Sequence, residues 1–504
     1  LSASDFKAEW LPFQDLNWDR IASFWTYDPA RPMLFNSGQF FVLFTIFITL
    51  YGLVYRYKVV RISYILLFSL FFYYKSSGSY LLILIASIVI DWLVALGIVR
   101  WRTTPWAKVL LVVSVVLNLA LLGYFKYSNF LLGNLFWLHG EPFHAWDIFL
   151  PIGISFYTFQ TISYVVDSYR GTIVPTKSLL DYAFYMSFFP HLVAGPIVRA
   201  RDFLPQIKKI TFPSNAEINL GAFLVIKGLI KKAIIADYLA RYADLVFTHP
   251  AGYSGFENLV AMYAYTIQIY CDFSGYTDMA LGLAAIMGYT LAENFNAPYT
   301  AVNITEFWHR WHISLSTWLR DYVYIPLGGN RKGEARQSGN LLVTMLLGGL
   351  WHGASWKFVI WGAFHGTALT LHKYWSRLTK NVRWLDSPLM RVVGVVLTLH
   401  FVAVLWVYFR ASDLDLANEM LSQIWYDTDV MTLLPAFVDT RPLVLGVLGL
   451  GLGLHFLPAS WKKWCQAMFT KAPWVVKWLF FLAVVQVILQ FADQEVQPFI
   501  YFQF

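Results

Sequence analysis

Apolar runs recur from residue 40 to the end of this chain, with Lys and Arg mostly gathered in short clusters between them. Of 504 residues, 58% are hydrophobic and only 13% charged, where a soluble protein carries about 25% charged residues. A chain this apolar satisfies its backbone polar groups in a bilayer by forming helices, each internally hydrogen bonded. The fold class that follows is an all-α polytopic membrane protein, one bundle rather than a string of soluble domains. Counting runs long enough to cross or nearly cross gives about eleven spans. The run at 62–74 is short for a span and needs its flanks, a steep placement or a re-entrant path.

The net charge of +8 does not indicate a nucleic-acid partner. Lys and Arg gather at Arg56, Lys58 and Arg61, at Arg100, Arg102 and Lys108, at Arg199, Arg201, Lys208 and Lys209, and at Arg331, Lys332 and Arg336. Basic clusters at the ends of apolar runs mark cytoplasmic loops. The two cysteines, Cys271 and Cys465, give neither a disulfide framework nor zinc spacing. Residues 1–36 are polar and rich in aromatics (Trp10, Trp18, Trp25), an expected interfacial extension with no cleavable signal pattern. Residues 37–491 form the membrane domain, and 492–504 an aromatic tail that by charge emerges on the outer face.

Three places break the apolar rule. Residues 180–198 carry Pro190, His191, Gly195 and Pro196; such a break is tolerated inside the protein or beside a watery cavity, so a re-entrant element lining a site is expected, with a kinked span as the simpler alternative. Asp272 and Asp278 lie deep in the run at 259–291, where acids are paired or face a polar cavity. Either they pair with an arginine from the helix at 303–321 or they take part in catalysis. The third place is 303–366. It opens at Asn303 with Glu306 three residues on, a helix cap. His312, Ser316 and Arg320 follow at intervals of four, one face of a helix running to Asp321. Then an apolar run at 341–350 ends on Trp351-His352-Gly353. A histidine there is either a structural residue bonded to a carbonyl or a general base, whose ordinary pKa suits proton transfer.

Several of these blocks resemble the membrane-bound O-acyltransferase superfamily, in its bacterial alginate O-acetyltransferase branch. They are Tyr270-Cys271-Asp272-Phe273-Ser274-Gly275 with Asp278, Asn294-Phe295-Asn296-Ala297-Pro298-Tyr299, Trp311-His312-Ile313-Ser314-Leu315-Ser316, Trp351-His352-Gly353, and Phe189-Pro190-His191 through Gly195-Pro196. The likeness runs in order over roughly residues 33–504. It implies that His352 is the catalytic base, with His312 and Ser316 orienting substrate or stabilising an oxyanion. Asp272, Asn296, Trp351 and Arg320 would support the site, and no metal is expected. His309 is less secure, because that position need not be histidine in relatives. The tail resembles the aromatic-tyrosine ending of envelope acyltransferase systems, making Tyr501 either an acyl relay or an interfacial anchor.

The implied reaction is O-acetylation of a cell-envelope polysaccharide such as alginate, from the bacterial inner membrane. The donor would be a cytoplasmic thioester, acetyl-CoA or an acyl carrier protein, and the partner an exported SGNH-hydrolase-like acetyltransferase. Other readings of the residues remain. A transporter or flippase would use the buried His and Asp as an ion path, and a scaffold subunit of a polysaccharide export complex would use neither.

Overall fold

The structure is a computed structural model that describes residues 24–29, 32–209 and 212–491; the tail at 492–504, with Tyr501, lies outside the described residues. No strand occurs among the described residues. The helices, in chain order, are α1 (Gly38–Val54), α2 (Lys58–Ser77), α3 (Leu81–Arg100), α4 (Pro105–Leu122), α5 (Ser128–His139), α6 (Ile154–Arg170), α7 (Leu179–Ser187) and α8 (Phe189–Leu192). They continue as α9 (Ala200–Ile207), α10 (Asn215–Leu229), α11 (Asp237–Thr248), α12 (Gly255–Ile286), α13 (Ile304–Arg310), α14 (Ile313–Leu319) and α15 (Glu334–His352). The last are α16 (Trp356–Leu378), α17 (Pro388–Arg410), α18 (Leu414–Tyr426), α19 (Val430–Thr440), α20 (Pro442–Phe456), α21 (Ala459–Lys471) and α22 (Trp474–Phe491).

The short run at 62–74 resolves into α2, a 20-residue helix that recruits its basic flank from Lys58 onward. Among the described residues, four stretches are long and apolar enough to cross a membrane: Lys58–Arg100, Pro105–His139, Pro388–Arg410 and Trp474–Phe491. The pair α19 and α20, bent by 101°, makes a fifth if it is one broken span. The count of about eleven is therefore not reproduced by length and composition. Interior α6 is only 17 residues long and also carries buried polar groups, Thr158, Gln160 and Thr161.

The organising element is α12, 32 residues long and buried along nearly its whole length. Ser254 and Glu257 close its N-terminus in a reciprocal capping box. Its first half packs into one apolar core and its second half into another. It approaches α10 backbone to backbone: a Cβ on Gly228 would meet the Gly275 carbonyl at 2.5 Å, and one on Gly275 would meet the Gly228 carbonyl at 2.8 Å. Small residues at a helix crossing are what lets membrane helices gain dispersion contacts without a hydrophobic driving force.

Among the described residues, π turns occur at Gly123–Tyr127, Ile230–Ala236 and Arg320–Tyr324, each continuous with a helix. Each widened turn re-aims the side chains it carries. The second brings Lys231 to Asp278 at 2.7 Å, and Lys232 to Asp272 at 2.6 Å and to Asp237 at 2.7 Å. Lys227 adds a second partner to Asp278 at 2.8 Å. The expected arginine partner is thus replaced by lysines from the α10–α11 region. The reason is the close α10–α12 crossing, which leaves lysine stems just long enough to reach the acids.

Candidate functional site

The stretch from Asn303 is not one helix. Asn303 caps α13 by accepting the Glu306 amide at 2.9 Å, while the Glu306 carboxylate reaches past the cap to the Val302 amide and also holds Arg310. After Arg310 the chain turns extended at Trp311, and His312 adopts the left-handed region at φ 43° before α14 begins. His312, Ser316 and Arg320 therefore do not share a helical face. His312 is the hinge itself. Ser316 donates back across the break to the Trp311 carbonyl at 3.2 Å. Arg320 starts a π turn and points outward, pairing with its neighbour Asp321 at 2.8 Å, with its side chain 58% exposed.

The break is held by Asn294. Its backbone carbonyl accepts from the Ile313 amide at 3.0 Å. Its side-chain Oδ1 takes the Ser314 amide at 3.1 Å and the Ser314 hydroxyl at 2.9 Å, and lies 3.1 Å from His312 Nδ1. One asparagine thus caps the first turn of α14 in place of the cap residue and orients the imidazole. Asn296, the expected support residue of that block, is exposed and touches Arg310 through its backbone only. The buried irregular segment around α8 joins the same hinge, through the Ile197 amide to Ser314 Oγ at 3.0 Å.

His352 is the last residue of α15 and only 3% exposed, while His312 is fully buried. Both rings pack on the indole of Trp351, with centroids 5.0 Å and 5.9 Å away. Phe273 lies edge-on to His312 at 4.7 Å, and Trp361 and Phe409 flank His352 at 5.3 and 5.2 Å. His309 is exposed, on the other side of the hinge from His312. Among the described residues no His, Cys, Asp and Glu group could hold a metal. Asp272, paired with Lys232, belongs to the α10–α12 crossing rather than to this aromatic cluster.

The C-terminal carbonyls of α15 have no helical partners. The first π turn supplies them. Lys126 Nζ donates to the carbonyls of Trp351 at 2.6 Å and His352 at 3.0 Å, and the Tyr127 hydroxyl donates to that of Leu350 at 2.8 Å. A cavity of about 70 Å³ lies against this junction, lined by Lys126, Trp351, His352, Phe156 and the 150–155 loop, with Val193 from the broken segment. Nothing in the apolar pattern marks Lys126 or Asn294. Lys126 reads as the charged end of a span, and Asn294 differs from Asn296 only in burial.

α15 leaves the basic loop of Arg331 and Lys332 and runs 19 residues, about 28 Å. α4 likewise starts just past Arg100 and Arg102. Their far ends meet at the cavity, at the end of each helix away from those basic residues.

A helical bundle of apolar helices with a buried imidazole, His352, at a cavity has the form of a membrane protein with a reactive site. A model of the membrane-bound O-acyltransferase family matches residues 173–409. A probable alginate O-acetylase AlgI of Pseudomonas putida is 39% identical over 94% of this chain and 100% of its own length. Another of that description, from Pseudomonas aeruginosa, is 42% identical over 77% of this chain and 74% of its own. A peptidoglycan O-acetyltransferase of Helicobacter pylori is 38% identical over 71% and 72%. The chain belongs to the membrane-bound O-acyltransferase family and is a membrane O-acyltransferase.

Proposed function

We propose that the protein acetylates hydroxyl groups of a cell-envelope polysaccharide, alginate or a polymer like it, from the bacterial inner membrane. The observation that carries this is the position of His352, at a cavity on the end of α15 remote from its basic loop. The names of the relatives supply the acyl group and acceptor class. An acceptor hydroxyl approaching from outside attacks the thioester carbonyl, and the His352 imidazole takes its proton. His312, oriented by Asn294, shapes the other side of Trp351. The donor is acetyl-CoA or an acetylated acyl carrier protein. Tyr501 is the candidate relay to an exported SGNH-hydrolase-like partner that finishes delivery to the polymer.

The test is polymer-bound acetate in cells carrying wild type or His352→Ala at equal membrane abundance. Loss of acetate with polymer export intact is the expected outcome. Unchanged acetate removes His352 from the reaction, and failed export of the polymer itself favours a transporter.

A further inference from the structure

Lys126 is a basic residue that lines the same cavity as His352 and has main-chain partners. Lys227, Lys231 and Lys232 all sit on carboxylates, whereas among the described residues no carboxylate pairs with Lys126, and its hydrogen bonds go to two main-chain carbonyls. An ammonium has three N–H donors. Two are spent on the end of α15, while the side chain lines the cavity that His352 also lines. Its cation lies 5.9 Å from the Trp351 ring centroid. A cation in an apolar bundle without a carboxylate marks a candidate functional group, and the widened helical turn at Gly123–Tyr127 carries this one to the cavity.

Resting on the acetyl-transfer reading above, we propose that Lys126 is a further catalytic residue: its remaining N–H stabilises the oxyanion of the acyl-transfer intermediate. As the acceptor oxygen bonds to the thioester carbon, its proton passes to the His352 imidazole. The carbonyl π pair moves onto oxygen, where the Lys126 ammonium donates to it. The intermediate then re-forms the carbonyl and breaks the carbon–sulfur bond, and the thiolate takes the proton back from His352 to leave as thiol. Ester and thiol are the products, with no net change at either residue. Lys126 is suited to this because the same ammonium is tied to the carbonyl of His352 itself, so base and oxyanion donor keep a fixed separation.

The test uses the full chain in spheroplasts making their own donor and polymer, in a Cys465→Ser background that removes the exposed native thiol. Lys126→Cys is expected to lower the rate of acetate incorporation by about 100-fold at equal abundance, the usual scale for losing one oxyanion donor. Treatment with 2-aminoethyl methanethiosulfonate, which attaches an ammonium to that thiol, should raise the rate toward wild type. Methyl methanethiosulfonate, which attaches a neutral methylthio group through a disulfide, should not. A wild-type rate in untreated Lys126→Cys overturns the proposal. So does equal recovery with both reagents, which would mean the site needs only bulk, or no recovery once mass spectrometry shows the aminoethyl group in place. If the parent chain itself incorporates no acetate, the acetyl-transfer reading fails first and this role falls with it.

Discussion

Asn294 does at residue scale what the local sequence around His312 cannot do alone. A histidine with φ of 43° sits where a side chain costs roughly 1 kcal/mol, and the hinge persists because Asn294 meets the donors that follow it. Replacing it with alanine leaves the buried Ser314 amide without its acceptor, at about 1–3 kcal/mol. Asn294→Ala should therefore lower the melting temperature of the detergent-purified protein and reduce polymer acetylation, while Asn296→Ala leaves both near wild type. Equal effects of the two would mean that the hinge is held by something other than Asn294. The two asparagines stand two residues apart in one polar block. Only the burial of one separates them, and burial is a property of the packed chain.

At the scale of elements, the α10–α12 crossing and the broken α13–α14 pair behave differently. The crossing is written in small residues, and the acids on α12 announce by their depth that they need partners. What is not announced is which cations arrive, since a π turn decides where Lys231 and Lys232 point. Gly275→Ala places a methyl group 2.8 Å from the Gly228 carbonyl and 3.0 Å from the Lys232 amide. Overpacking of this kind costs about 1–3 kcal/mol, so this variant should melt earlier and accumulate less in membranes. Gly446→Ala, where a Cβ meets nothing within 4 Å, is the matched control; similar melting of the two would show that α10 and α12 can separate freely. The α13–α14 break, by contrast, is hidden in an unbroken periodic pattern. Intervals of four from His312 to Arg320 suit one helix, and long-range bonds from Asn294 override that preference.

At the scale of the whole molecule, sidedness follows from charge. The basic loops at the starts of α4 and α15 belong on one face, and the junction of Lys126 with His352 toward the other. In a Cys465→Ser background, a cysteine placed at Lys332 should react with an impermeant thiol reagent only after permeabilisation. One placed at Glu141, in the loop before the cavity-lining segment, should react in intact spheroplasts. The reverse pattern would put the cavity on the cytoplasmic side and undo the direction of transfer argued above.

By itself the sequence determined the solvent this chain folds in, its helical class and its family, because these rest on composition and short motifs, and it singled out His312 and His352 as candidates. Tertiary structure decided how the histidines are held: the hinge at His312, the choice of Asn294 over Asn296, the lysine partners of the buried acids, and the placement of Lys126 on the end of α15. Each of these depends on a hydrogen bond or ion pair between distant parts of the chain. Neither hydrophobic period nor residue spacing carries information about which distant group will arrive.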